Sequence, residues 1–363
     1  MRDSDSASEF PSSRVGPAPL ITIVIPTYNL ESYIVPCLDS ITSQAFQDVE
    51  IIAVDGESMD LTRELLEKRM IDEPRLTMMC NGRIGPGVAR NIGARKATGS
   101  YIWFVDGDDE IAPGCLAEIS QRLRAERPDV LLINHAELRD DWALDVGQDD
   151  ALLRREDSSP FALAGRPWLL DVGLVSWNKI VRREFFESIG AEFVRDWPHE
   201  DVPVSCELLL AAQRLSVLSD VCYYHRKHRP GSATGSGPRA RHFEVFDTWR
   251  LVLERNQARL RHESDGLRMG PEMYQRLFQR SIWHCTTILD TAGYVAKPDR
   301  HAFFNQIAAL YAEYAPDPNR LPAGFRGVKF WLIARQSYLG FSILDPLNKV
   351  RVRLERLVKS DPS

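Results

Sequence analysis

The residues most able to do chemistry sit in three short stretches. In the first, the apolar run Tyr101 to Val105 drives straight into Asp106, Gly107, Asp108, Asp109 and Glu110. Crowded carboxylates repel, and desolvating them is costly unless something pairs with them. Two readings follow: a polar turn capping the next helix, or ligands for a divalent cation at a strand end. An EF-hand is excluded, because positions 6 and 12 counted from Asp106 are Ile111 and Ala117 where that loop needs Gly and Glu. The two-residue spacing lets Asp106 and Asp108 face one side of a turn. One or two carboxylates plus phosphate oxygens is a common setting for magnesium or manganese. Asp109 or Glu110 would then cap or start the following helix. In the second stretch, HEDVP at 199–203 opens a helix with two adjacent carboxylates, suited to N-terminal capping or to general-base work in a cleft. The third, GPGVARNIG at 85–93, fails as a dinucleotide fingerprint because Arg90 stands where a glycine belongs. It suits an anion facing a helix start, with Arg90 adding charge-assisted hydrogen bonds; a Gly-Pro turn with a surface arginine is the equal rival.

The surrounding pattern says what must position these groups. Apolar runs rich in β-branched and aromatic residues lie at 21–25, 49–54, 75–80, 101–105 and 129–133, separated by helix-like segments near 31–44, 60–70, 86–98 and 113–126. Such alternation predicts βαβ units and a mainly parallel sheet flanked by helices, a Rossmann-like α/β class. In open sheets of this kind ligands bind beyond the carboxyl ends of the strands. Three polar groups fall at those ends: Pro26-Thr27-Tyr28-Asn29, Asp55, and Asp106-Gly107-Asp108. Pro36 requires the first helix to kink or start late. Residues 136–165 read as an acidic insertion, 177–189 and 199–214 as helical, and 215–218 and 221–225 as strand-like. A basic, glycine-rich loop follows at 226–237, and beyond 240 only helical patterns remain, near 241–263, 271–292, 299–314 and 327–358. The predicted organisation is a disordered segment at 1–18, a catalytic domain at 19–239 and an α-helical C-terminal extension at 240–363.

Composition narrows the class. The chain has 363 residues, a net charge of −6, 44% hydrophobic and 26% charged residues, ordinary for a globular protein and without the positive surplus of a general nucleic-acid binder. Six scattered cysteines with no C-x-x-C pair point to free thiols in a reducing compartment rather than to zinc. No apolar run reaches membrane-span length and no leader is visible, so the expected location is cytoplasmic.

The ordered set TIVIPTYN, IIAVDGESMD, GVARNIGARKATGSYIWFVDGDD, WNKIVRREF, HEDVPVSCELL and YYHRKHRPGSAT resembles family 2 glycosyltransferases of GT-A fold, over roughly residues 20–235. The resemblance implies an inverting, metal-dependent transferase of the kind that builds bacterial cell-surface polysaccharide, using Mn²⁺ or Mg²⁺ and a nucleotide-sugar donor, expected to be UDP-linked. It places Pro26, Thr27, Tyr28, Asn29, Asp55, Arg90, Asp106 and Gly107 around the donor, with Asp55 reading the base edge. Asp108 and Asp106 would hold the metal. Asp201, with Glu200 beside it, would be the catalytic base. Trp177, Asn178 and Lys179 would line the acceptor side, and His225, Arg226, Arg229 and Ser232 would sit on a loop closing over the diphosphate. One departure is that the family commonly has two aspartates after the second strand, where this chain has Asp55-Gly56. No Q-x-x-R-W motif of processive synthases is present, which favours addition of one sugar to a glycan or lipid-linked acceptor. The rivals are a nucleotidyltransferase, which also wants metal and aspartates, and an inactive binding scaffold.

The tail carries a separate signal. Between 326 and 359 lie eight basic and two acidic residues, with Leu347, Val350, Leu354, Leu357 and Val358 along one helical face. A basic amphipathic helix suits an anionic membrane at the inner face of the cell, or equally the protein's own acidic body.

Overall fold

A computed structural model describes residues 18–80, 82–139, 143–155, 160–194, 199–227, 240–261 and 269–344. Apart from Ala18, the N-terminal segment expected to be disordered lies outside these residues, as do Arg229, Ser232 and the tail from 345 onward. The chain opens with strand β1 (Ile21–Thr27), helix α1 (Ile34–Thr42), β2 (Val49–Asp55), α2 (Thr62–Asp72), β3 (Leu76–Cys80), α3 (Pro86–Lys96) and β4 (Tyr101–Phe104). β3, β2, β1 and β4 lie side by side and parallel. Strands buried on both faces by flanking helices read as continuous apolar runs, and β1 is buried along its whole length. α1 does start late: Pro36 occupies its first turn, where a missing N–H costs no helical hydrogen bond.

The second half of the sheet is mixed. It comprises β5 (Glu110–Ile111), β6 (Val130–Leu138), β7 (Leu144–Val146), β8 (Lys179–Arg182) and β9 (Leu215–Arg226), with α4 (Cys115–Glu126), α5 (Asp150–Leu153), α6 (Arg183–Ser188) and α7 (Asp201–Ala211) between them. β8 runs antiparallel between β4 and β6, while β6 and β9 are parallel. Three sequence expectations are corrected. Residues 177–189 are not one helix, because Lys179 to Arg182 insert as a central strand before α6. The runs at 215–218 and 221–225 are a single strand whose pairing with β6 shifts register near Asn134. Asp109 and Glu110 neither cap nor start a helix, since Glu110 begins β5 and α4 opens after Gly114.

The extension consists of α8 (Val245–Arg261), α9 (Pro271–Asp290), α10 (Arg300–Tyr314) and α11 (Gly324–Ala334). One buried cluster runs from Phe104, Phe186, Val202 and Leu209 into Trp249, Leu277 and Phe303, so the helices share a core with the sheet. Arg255 and Arg259 of α8 pair with the buried Glu207 of α7, tying the extension to the helix that follows the Glu200-Asp201 pair. The long helix expected at 327–358 is interrupted: α11 ends at Ala334 and Gln336 adopts φ 53°. Lys329, counted above among the tail's basic groups, is buried against Asp290.

Candidate active site

The parallel registers bring the carboxyl ends of β1, β2 and β4 together. Thr27 lies opposite Asp55, and Thr27 Oγ1 donates to Asp55 Oδ1 at 3.1 Å. Ser58 adds its hydroxyl to Oδ1 at 2.6 Å and its backbone N–H to Oδ2 at 2.9 Å, so the fully buried Asp55 has its oxygens satisfied. Asn29, at φ 51°, accepts from the backbone N–H of Met59 at 2.8 Å while its own N–H donates to Ser58 Oγ at 3.0 Å. Asn tolerates this left-handed backbone well. The two strand-end loops are thus laced together below the exposed ring of Tyr28. Ser58 was not singled out in the sequence; a serine three residues beyond a buried aspartate was its signal.

The acidic turn after β4 is held from beneath. Tyr223 of β9 donates to Asp109 Oδ2 at 2.7 Å and accepts from the Asp106 backbone N–H at 3.1 Å. The Arg226 backbone N–H donates to Asp109 Oδ1 at 2.7 Å, and its guanidinium reaches Glu110 Oε1 at 2.7 Å and the Asp108 carbonyl at 3.1 Å. Burial, and then the charges of Asp108 and Asp106, push the Asp109 carboxyl well above its ordinary range. Asp109 is therefore a structural acid inside the turn, leaving Asp106 and Asp108 at its partly exposed rim. That field is one a cation would relieve, so Asp106 and Asp108 fit a divalent ion. Among the described residues no three His, Cys, Asp or Glu side chains form a complete cage; such an ion would draw its other ligands from phosphate and water. Gly107 packs closely here: a Cβ would lie 2.7 Å from Leu30 Cδ1 and 3.3 Å from the Pro26 carbonyl, so a larger residue would have to displace the buried Leu30 side chain.

Arg90 closes the site. Buried in α3, it donates from one nitrogen to Asp106 Oδ1 at 2.6 Å and from another to Glu200 Oε1 at 2.7 Å. Burial opposes its charge, but Asp106 and Glu200 outweigh that and raise its pKa above the ordinary value. The carboxylate of Asp201, the next residue, has no hydrogen bond or ion pair among the described residues. Burial first, then the charge of Glu200, pushes its carboxyl up to about 7 against the pull of Arg90. A base poised near neutral pH and left unpaired is what proton abstraction needs. The close packing of Gly87 on Glu200, where a Cβ would stand 2.8 Å from Glu200 Cγ, sets the spacing between α3 and this pair.

The remaining predicted residues fall into two groups. Trp177 stacks on Tyr223 (centroids 4.6 Å apart, planes 4° from parallel) and on His225 at 5.3 Å, beside the acidic turn. Asn178 and Lys179 are buried. Lys179 Nζ donates to the carbonyls of Gly173 and Val175 and to Asn178 Oδ1, and burial lowers its pKa to about 8. Their polar groups shape the 173–178 loop from inside. His225 and Arg226 belong to the end of β9.

The description Glycosyl transferase family 2 matches residues 22–190, the span that holds the Thr27, Asp55, Arg90 and Asp106 groups. Residues 22–190 are a glycosyl transferase family 2 domain. The chain is similar to the uncharacterized glycosyltransferase EpsJ of Bacillus subtilis, 28% identical over 224 residues, covering 60% of this chain and 63% of EpsJ. It is also similar to the poly(ribitol-phosphate) beta-N-acetylglucosaminyltransferase TarS of Staphylococcus aureus, 28% identical over 219 residues, 59% of this chain and 37% of TarS. The chain thus spans less than two thirds of either relative. The crystal structure of S. aureus TarS 1–349 in complex with UDP-GlcNAc superposes with a TM-score of 0.70 at 21% identity, covering 91% of each chain. That likeness establishes the GT-A fold and extends past the family 2 domain into the helical extension. The mannosyltransferase PcManGT from Pyrobaculum calidifontis, in complex with GDP-Man and Mn²⁺, superposes at 0.50 with 18% identity, covering 95% of this chain and 88% of that one.

Proposed function

We propose that this protein transfers one sugar from a nucleotide-sugar donor, UDP-linked, to a hydroxyl of a glycan or lipid-linked acceptor in cell-surface polysaccharide synthesis, inverting the anomeric centre. The observation that carries the proposal is Arg90: one guanidinium joins the acidic turn after β4 to the carboxylate pair opening α7. The charged groups needed at the leaving group and at the nucleophile are thereby held in one cleft. The nucleoside would rest on the Pro26–Asn29 and Asp55 loops. Asp106 and Asp108 would hold Mn²⁺ or Mg²⁺, which when bound supplies positive charge against the departing diphosphate. Arg90 holds the Asp106 carboxylate in place. Asp201 takes the proton from the acceptor hydroxyl; the freed oxygen bonds to the anomeric carbon from the face opposite the diphosphate, and the bond to the diphosphate oxygen breaks. Glu200, occupied by Arg90, fixes the backbone that aims Asp201. Trp177, buried and stacked on Tyr223 and His225, would back the acceptor side from beneath.

The test is a panel of nucleotide sugars with Mn²⁺, followed by NMR of the product's anomeric configuration. Retention of configuration would overturn the single-displacement mechanism, and absence of product from every donor would overturn transfer. Docking of the tail on an anionic membrane rests on the basic residues beyond 345, because Arg326 and Lys329 are engaged within the protein. Co-sedimentation with anionic vesicles should be lost on removing 345–363; unchanged binding would exclude it.

A further inference from the structure

Three arginines outside the site described above cluster around Asp171 and Val172. Arg276 of α9 pairs with Asp171 at 2.8 Å, and Arg326 of α11 approaches the same carboxylate at 3.8 Å. Arg280, one turn along α9 from Arg276, reaches only the Val172 carbonyl, at 3.4 Å. Among the described residues it has no ion-pair partner. The Nε atoms of all three are buried without a hydrogen-bond partner. Burial lowers the pKa of Arg280, with Asp171 and Asp149 opposing it; the buried Lys179 lies close enough for its own pKa to be lowered further by Arg280. Three guanidiniums grouped around one contacting carboxylate, Asp171, leave an excess of positive charge that is costly away from water, and donors in fixed forks suit an oxyanion.

The position of this group decides what the anion belongs to. Positions four apart on a helix share a face, so Arg276, Arg280 and His284 form one stripe on α9. At its far end the His284 ring lies 5.4 Å from that of His199, the residue immediately before Glu200 and Asp201. The eight residues from His284 to Arg276 rise about 12 Å along α9, on the order of two sugar units beyond the histidine pair that adjoins the base. Arg276 and Arg326 keep about a third and a quarter of their side-chain surface exposed, and Trp168, three residues before Asp171, is also partly exposed.

We propose that Arg276, Arg280 and Arg326 form an oxyanion site for the acceptor, seating a phosphate ester or carboxylate of a residue near the one that receives the sugar. The acceptor is then an anionic glycan. This deepens the transferase reading and rests on it. Binding does not depend on turnover, so it is the test. Tryptophan fluorescence of the full-length protein would be titrated with glycerol 3-phosphate, glucuronate, inorganic phosphate and, as neutral controls, glycerol and glucose. Glycerol 3-phosphate or glucuronate should bind at least tenfold more tightly than its neutral counterpart and weaken with added salt. Arg280→Gln should weaken that binding at least tenfold. Arg276→Gln, at a more exposed position less able to disturb the fold, should weaken it several-fold. Both variants should keep the thermal shift given by UDP with Mn²⁺. Equal binding of charged and neutral ligands, or unchanged binding in Arg276→Gln, would overturn the site. Inorganic phosphate binding as tightly as the ester would overturn its assignment to the acceptor. Loss of the UDP response in unmodified protein would count against the transferase reading itself and leave the arginine result separate.

Discussion

Replacing Asp201 by Asn should make the protein more stable and far less active. The structure pushes the Asp201 carboxyl up to about 7 from an ordinary 3.8, chiefly through burial and then through Glu200. A rise from 3.8 to about 7 corresponds to roughly 4 kcal/mol by which the folded state disfavours the ionised form. The side chain keeps some contact with water, so an observable effect of about 2–3 kcal/mol is the reasonable expectation after solvent screening. The sign follows from proton linkage: the folded state binds the proton more tightly, so the contribution favours folding below pH 3.8 and is lost as pH rises toward 7. Asn cannot ionise, so the gain of the variant should be absent near pH 4, grow between pH 4 and 7, and level off above. Urea unfolding of both proteins at pH 4.5, 6, 7 and 8, at constant slope, reads this difference. Transfer should fall by about 10²–10⁴-fold, the usual scale of general-base catalysis, while UDP affinity holds. In the unmodified enzyme the acid limb of kcat/KM should bend near pH 7. A variant that is less stable than the parent at pH 8, or an acid limb below pH 5, would refute the idea that Asp201 is the strained base. If Glu200→Gln were the crippling change instead, the roles within the pair would be reversed.

Asp108→Ala should abolish manganese-dependent UDP binding with the fold intact, as a partly exposed turn residue carries little packing; calorimetry showing unchanged affinity would remove Asp108 from the metal. Gly87→Ala places a methyl 2.8 Å from Glu200 Cγ and 3.1 Å from the Val194 carbonyl; displacing the pair should lower turnover by about tenfold to a hundredfold, with KM for the donor nearly constant, and a normal rate would show the α3–α7 spacing to be slack. Tyr223→Phe leaves Asp109 Oδ2 without its phenolic donor and the Asp106 N–H without its acceptor, costing about 1–3 kcal/mol. An unfolding midpoint equal to the parent's would show that the acidic turn does not lean on this hydroxyl.

The sequence by itself determined the parallel half of the sheet and where its chemistry would lie. ITIVI, VEIIAV and YIWFV read as buried strands because both faces of each are covered, and the polar residues following them had to fall at the carboxyl edge. It also determined that Pro36 would delay α1, a purely local steric matter. Wherever local pattern and long-range pairing disagreed, the tertiary structure decided. WNKIVRREF carries a helical spacing of apolar residues, yet Lys179–Arg182 form a central strand because β4 and β6 each offer an unpaired edge. Asp109 and Glu110 looked like helix-capping acids; Tyr223 and Arg226, more than 110 positions away, turned one into a buried acid and the other into a strand residue. The carboxylate pair at 200–201 was legible as a candidate base, and only the family resemblance favoured Asp201 over its neighbour. The tertiary structure adds what no local pattern could: Arg90, 110 residues from Glu200, pairs with it, and the adjacent Asp201 carboxylate is desolvated without an ion pair among the described residues.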